Sequence, residues 1–219
     1  MTGRTPQIHA LVFVLLFSAT MNLNSEAIAV EVPSIASRNH SKPGDVLVRV
    51  QNHGSAKTVV GTIEIDQSPH RIWPILVNPY ELQASICPRM KEIEMLCDEP
   101  NTSLMKVKVD CGIFFPHISY IVESKYTRNQ RIDFRRIGGT LKDFTGYWQI
   151  EPLDDGSRSR VTYSLFIEPG IPVPQWLVRE AIKVELPKTL RALRRRVDYL
   201  CEGNHKAISK TILAAKPLD

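Results

Sequence analysis

The chain has 219 residues, 43% of them apolar and 23% charged, with a formal net charge of +5, which is enough apolar material for one sizeable domain with its own core. Four cysteines in so apolar a chain do not make a disulfide scaffold. Cys87, Cys97, Cys111 and Cys201 contain no Cys-x-x-Cys pair, which excludes the spacing of a zinc ribbon or a thioredoxin-like redox site.

Arg4 precedes the apolar run IHALVFVLLF, and small and polar residues then lead to Ala27-Ile28-Ala29. This positive–apolar–small order predicts a secretory signal peptide over residues 1–29, cut before Val30. The run is short for a bilayer span, so an uncleaved anchor is the less favoured reading. The expected location is outside the cytoplasm, periplasmic or secreted. There an even cysteine count permits two disulfides in three connectivities, with buried thiols as the alternative fate. Residues 30–45 are polar and Pro-punctuated and read as a leader. Asn39 and Asn101 each open an N-x-Ser/Thr site, which matters only in a eukaryotic secretory route.

A domain over residues 46–203 follows. VLVRV, the turn QNHGSAK and VVGTIEI predict a β-hairpin with β-branched arms. Ser68 and Pro69 open a helix as cap and first-turn proline, and Pro79 divides it from a second short helix. MKEIEMLC, LMKVKVDC, HISYIVESKYT, RIDFRRI, DFTGYWQIEPL and RSRVTYSLFIE alternate in polarity between short turn-rich spacers, which predicts a six-strand antiparallel meander. Alternation puts Ile93, Met95, Cys97, Met105, Val107, Val109, Cys111, Ile118, Tyr120 and Val122 on one face. Phe144, Gly146, Trp148, Ile150, Val161, Tyr163, Leu165 and Ile167 join them, with charged residues opposite. Pairing Met95 with Val107 and Ile93 with Val109 separates Cys97 from Cys111 by about 20 Å, too far for a disulfide. From Pro174, Leu186, Leu190, Leu193, Val197 and Leu200 form a helical apolar stripe. Pro187 is expected to kink that helix and Gly203 to stop it, leaving residues 204–219 as a tail.

This order of elements, α+β with a curved antiparallel sheet wrapped around a long C-terminal helix, is that of the helix-grip (START/Bet v 1-like) fold. Ser68-Pro69-x-x-x-Trp73, Gly146-x-Trp148, the Asp155-Gly156 turn and Val173-Pro174-x-Trp176-Leu177 carry a resemblance over about residues 57–202. The chain resembles the START-like polyketide cyclase and coenzyme Q-binding superfamily. That resemblance implies a cavity between sheet and C-terminal helix holding a lipid, quinone or polyketide-like molecule. An exported carrier, chaperone or sensor is the expected function, and a cyclase- or aromatase-like enzyme in the same cavity is the alternative.

Aromatics mixed with Gly146, and tyrosines in need of hydrogen-bond partners, fit an apolar wall with a few polar handles. The expected ligand-binding residues are Met95, Val107, Tyr120, Trp148, Tyr163, Leu165, Trp176 and Ile182. A bulky residue at Gly146 is expected to fill the cavity without unfolding the protein. In a meander alternate loops share one end, so GIFFP, GGTLK and EPGIPVP should gather there. Phe114, Phe115, Leu141, Ile171 and Val173 would then form a rim, with Trp176 just inside. Such a rim gates a ligand or touches a membrane, while phenylalanines that plug the end of the sheet fit the same residues. No catalytic constellation, metal-ligand spacing or cofactor motif is present in the sequence, and no nucleic-acid partner is expected of an exported chain. Arg179, Lys183, Lys188, Arg191, Arg194, Arg195 and Arg196 suit an anionic membrane surface or simply a solvated helix face.

Overall fold

A computed structural model describes residues 45–53, 56–110 and 118–214. The expected signal peptide, Cys111 and the GIFFP loop with Phe114 and Phe115 lie outside them. The elements run β1 (Leu47–His53), β2 (Ala56–Ile65), α1 (Pro69–Leu76), α2 (Pro79–Glu81), β3 (Met90–Glu99), β4 (Thr102–Val109), β5 (Ile118–Thr127), β6 (Arg131–Gly139), β7 (Asp143–Leu153), β8 (Arg158–Glu168) and α3 (Gln175–Ala214). A π-helical turn, Leu82–Ile86, continues α2.

The eight strands form one antiparallel sheet in the order β1-β2-β8-β7-β6-β5-β4-β3. The first hairpin thus joins the last strand of the meander, and β1 and β3 are the edges. Pro69 occupies the first turn of α1, but the Ser68 side chain does not cap it; its hydroxyl lies 3.3 Å from His70 Nε2 instead. After the break at Pro79 it is Asn78 Oδ1 that caps α2, accepting from the Tyr80 and Glu81 amides at 3.0 and 3.4 Å.

Three bulges correct the simple alternation. Met95 pairs with Met105 and Ile93 with Val107, a register two residues from the expected one. Irregularities between Met90 and Glu92 and between Met95 and Cys97 each insert one residue and invert the facing of what lies beyond. Met90, opposite Val109, therefore turns inward. Cys97, opposite Leu104, turns outward, where its thiol lies 3.8 Å from Glu99 Oε1. The third bulge, between Ile121 and Val122, sets Arg136 opposite Val122, so one arginine stands on the concave face.

The helix α3 grips the sheet through Leu186, Leu190, Leu193 and Val197, all at 2% exposure or less. It sits close because β2 has a glycine beneath it: a Cβ at Gly61 would run into Leu186 Cδ2 and Leu190 Cδ1. Both leucines are fully buried and have nowhere to retreat. Gly61→Val should therefore overpack the interface, costing about 1–3 kcal/mol and lowering the midpoint of a circular-dichroism melt. Arg194 of α3 pairs with Asp66, which also pairs with Arg158 of β8, fastening the helix to the strands below it. The helix passes Gly203 and runs to Ala214. Gly203 has none of the positive φ values found at Gly139 and Gly156, so it makes no left-handed stop.

Candidate functional site

An apolar cavity of about 70 Å³ lies between the concave face of the sheet and the α1–α2 segment. Its floor comes from β4 to β8: Met105 and Val107, then Tyr120, Val122, Ser124 and Tyr126, then Ile132 and Phe134, then Phe144, Trp148 and Tyr163. Leu76, Val77, Pro79 and Leu82 form the roof, and Met90 and Ile93 of β3 close the side. No residue of α3 belongs to this wall. In the expected place, between sheet and C-terminal helix, the buried α3 stripe packs on β2 and on the π-helical turn.

Of the eight ligand-binding residues expected from sequence, Val107, Tyr120, Trp148 and Tyr163 stand in the cavity wall. The other four do not. Ile182 is buried in the core under α3, and Leu165 packs against that core. Met95 is 36% exposed on the edge strand, beyond the roof. Trp176, expected just inside the mouth, is 58% exposed on the first turn of α3, because the following turn uses Leu177 and Val178 as its buried pair. Ser124, Tyr126, Ile132 and Phe134 share the inward alternation and were available to sequence reasoning. Met90 required the bulge, and the roof residues required the tertiary fold.

The loop end is partly described. The Thr140 amide donates to the Ser119 carbonyl at 2.7 Å, and the Lys142 amide to the Glu168 carbonyl at 2.9 Å. These bonds bring the start of β5 and the loops around residues 140 and 170 to one end of the sheet. Leu141 is buried there, Val173 is half-buried and Ile171 is exposed.

Gly146 is not open space. A Cβ there would run into the carbonyl oxygen of Ser164 and approach Phe134 Cζ at 2.7 Å. The backbone of β8 thus passes directly over this position, and a larger residue would strike the sheet itself rather than fill the cavity.

Aromatic rings make the wall stiff. Trp148 and Tyr163 stack with centroids 3.8 Å apart and planes 5° from parallel. Phe134 and Phe144 follow at 5.1 Å, and Phe144 and Tyr120 at 4.8 Å. Among the described residues the lining holds no acid, base or imidazole; Arg136, a cation on this face, is outside it, with Nη2 donating to the Gly139 carbonyl and a buried Nε without an acceptor among the described residues. Desolvation raises the Tyr163 phenol well above its ordinary range, with Cys87 and Tyr120 adding to the shift. Burial also pushes the Cys87 thiol up to about 12. Both groups stay protonated at neutral pH, so this is a neutral, poorly nucleophilic pocket. Cys87 should accordingly resist iodoacetamide at pH 8 in the folded protein, and Cys97 should react before it; mass mapping of the alkylated peptides checks the order. Among the described residues no group of three His, Cys, Asp or Glu is placed to hold a metal.

The roof is tied down by one ion pair. Arg196 of α3 donates twice to the Glu81 carboxylate, both at 2.7 Å, with both side chains mostly buried. This bidentate bond holds the Glu81 carboxyl below its usual value of 4.5 against a smaller opposing effect of burial. A lowered folded value means that the stabilisation is complete above the ordinary carboxylate range and disappears as pH falls through the folded value. Melting curves from pH 6 down to pH 3 should show this loss in the wild type, and Glu81→Gln should remove that component of the pH dependence.

The fold recurs in solved structures of low sequence identity. A STAR-related lipid transfer protein fragment from Xanthomonas axonopodis superposes with a TM-score of 0.58 at 17% identity, covering 72% of this chain and 95% of that one. The Zhui aromatase/cyclase from a Streptomyces species gives 0.56 at 13% identity, with 64% and 93% covered. A START superfamily protein from Mycobacterium smegmatis gives 0.56 at 21% identity, with 65% and 98% covered. No curated protein matches the chain significantly. The family described as polyketide cyclase / dehydrase and lipid transport matches residues 65–194, more than half of the sequence and all of the segment from the end of β2 into α3. The chain is a member of that polyketide cyclase / dehydrase and lipid transport family.

Proposed function

We propose that the protein is exported and binds a hydrophobic small molecule (a lipid, a quinone or a polyketide-like compound) in the cavity beneath α1 and α2, as carrier, chaperone or sensor. The observation that supports this reading most is the charge-free aromatic wall. As it stands the cavity has room for a few water molecules, far below the roughly 300–1,000 Å³ of an occupied small-molecule site. Binding therefore requires the roof to lift. Leu82 stands in that roof with Met90 and Met105 on the strands below, and methionine adapts to a changed gap at little cost. Native mass spectrometry of protein purified without detergent tests the reading. A co-purified hydrophobic mass that leaves on denaturation is expected, and uptake of neither endogenous nor added lipid would oppose it.

Among the described residues, the cyclase-like alternative would run on the Tyr120, Tyr126 and Tyr163 hydroxyls, since the described lining offers no carboxylate or imidazole. A membrane-touching role is favoured by different residues. Ile171 at 41% and Trp176 at 58% exposure lie five residues apart at the loop end, followed by Arg179. Arg179, Arg191 and Arg195 make no ion pair with a described residue, whereas Lys183, Lys188, Arg194 and Arg196 are paired. Co-sedimentation with anionic vesicles at low salt should be modest and should fall in the double variant Ile171→Ser/Trp176→Ser. Equal binding by the double variant would remove these residues from any membrane contact.

A further inference from the structure

Tyr163 presents a hydroxyl that the fold leaves unused. Two other phenols stand in the wall, Tyr120 and Tyr126, and the Tyr126 hydroxyl is bonded to Ser103 Oγ. Tyr163 is partly buried and has no side-chain hydrogen bond to a described residue, and a hydroxyl held in an apolar wall gains by finding a partner. Its position is not accidental looseness. The residue sits in β8 opposite Trp148, its ring is fixed by the parallel stack on that indole, and Phe134 lies against it at 6.2 Å. A rigid donor facing an apolar cavity is suited to one acceptor in a fixed place. The surroundings restrict what that acceptor is: no cation in the wall offsets an anion, and the neighbouring Cys87 is a neutral thiol.

Resting on the ligand-binding reading above, we infer that Tyr163 Oη donates a hydrogen bond to a carbonyl or hydroxyl oxygen of an uncharged, otherwise apolar ligand, and that the site thereby selects such molecules over hydrocarbons and carboxylates. Tyr163 is then a specificity-determining residue, and the remaining wall supplies affinity without discrimination. A carboxylate would lose its hydration and find only neutral hydroxyls among the described lining residues, which is insufficient compensation.

The test uses three probes of one size, acetophenone, ethylbenzene and benzoate, titrated at pH 7 into the wild type and Tyr163→Phe. The methyl signals of Met90 and Met105, which border the cavity, report occupancy by nuclear magnetic resonance. Tyr163→Phe keeps the ring and its stack. It should weaken acetophenone roughly five- to tenfold, the range of one net hydrogen bond, and leave ethylbenzene within about twofold. An equal change for both probes, or none for acetophenone, overturns the inference. The benzoate arm needs no variant: wild-type binding of benzoate as tight as that of acetophenone overturns the selection against anions. If neither neutral probe moves the Met90 and Met105 signals of the wild type, the cavity reading itself fails, and the inference falls with it.

Discussion

Leu190→Ala is expected to destabilise the protein by about 2–5 kcal/mol, the range for a leucine removed from a rigid core. Leu190 is 0% exposed and presses on the strand position occupied by Gly61. The site cannot collapse to fill the void, because Leu186 and Leu193 on either side along α3 are themselves fully buried and the sheet beneath is tied on both sides by ladder bonds. The loss should fall on the whole domain and not on the helix alone, since the same stripe meets β2 and the π-helical turn. Urea titration of both proteins gives the difference directly. A change below about 1 kcal/mol would mean that α3 is held chiefly by its ion pairs, Arg194–Asp66 and Arg196–Glu81, and not by the apolar stripe.

Gly146→Ala should be the second most damaging change, although it adds one methyl group. Gly146 is paired with Phe134 on one side and Leu165 on the other, and its missing Cβ is replaced by the Ser164 carbonyl and the Phe134 ring. The ring can move; the carbonyl belongs to the β7–β8 ladder and cannot move without breaking it. Overpacking of this kind costs about 1–3 kcal/mol, and more where backbone is displaced. Loss of stability should be accompanied by faster amide exchange along β7 and β8. Wild-type stability in Gly146→Ala would show that the sheet yields here, and that the sharp approach of β8 is not a fixed feature.

Much of this architecture was legible in the residues. All six strands of the meander, the first hairpin, the Pro79 break and the α3 stripe followed from period-two and period-3.6 patterning, because each buries one face and exposes the other. Alternation also found Val107, Tyr120, Trp148 and Tyr163. It failed where the strand is not regular. One inserted residue at Lys91 turned Met90 into the cavity, and another at Leu96 turned Cys97 out of it; polarity could not reveal either, since Lys-Glu-Ile and Met-Leu-Cys read equally well in both facings. The location of the cavity was a tertiary matter. Whether α3 or the α1–α2 segment roofs open space depends on how closely the helix approaches the sheet. That distance is set by the absent side chain at Gly61, a residue with no pattern to mark it. Trp176 shows a related limit. Its apolar character suggested a place inside the mouth, yet the buried stripe of α3 begins one residue later.

The central claim is that the aromatic cavity beneath α1 and α2 takes up a hydrophobic molecule. It is tested most directly by blocking that space from a wall that carries no polar role. Val107 is 3% exposed and lines the cavity on β4, so Val107→Phe puts a ring into the open volume from a strand other than the one that carries Tyr163. Titration of an environment-sensitive naphthalene dye into both proteins, with melting temperatures measured alongside, is the decisive comparison. The account predicts micromolar-range fluorescence enhancement in the wild type, on the order of tenfold weaker in Val107→Phe, with a melting temperature little changed because the ring occupies space that was empty. Equal dye binding by the two proteins would contradict it, as would a variant that unfolds because its core was already full.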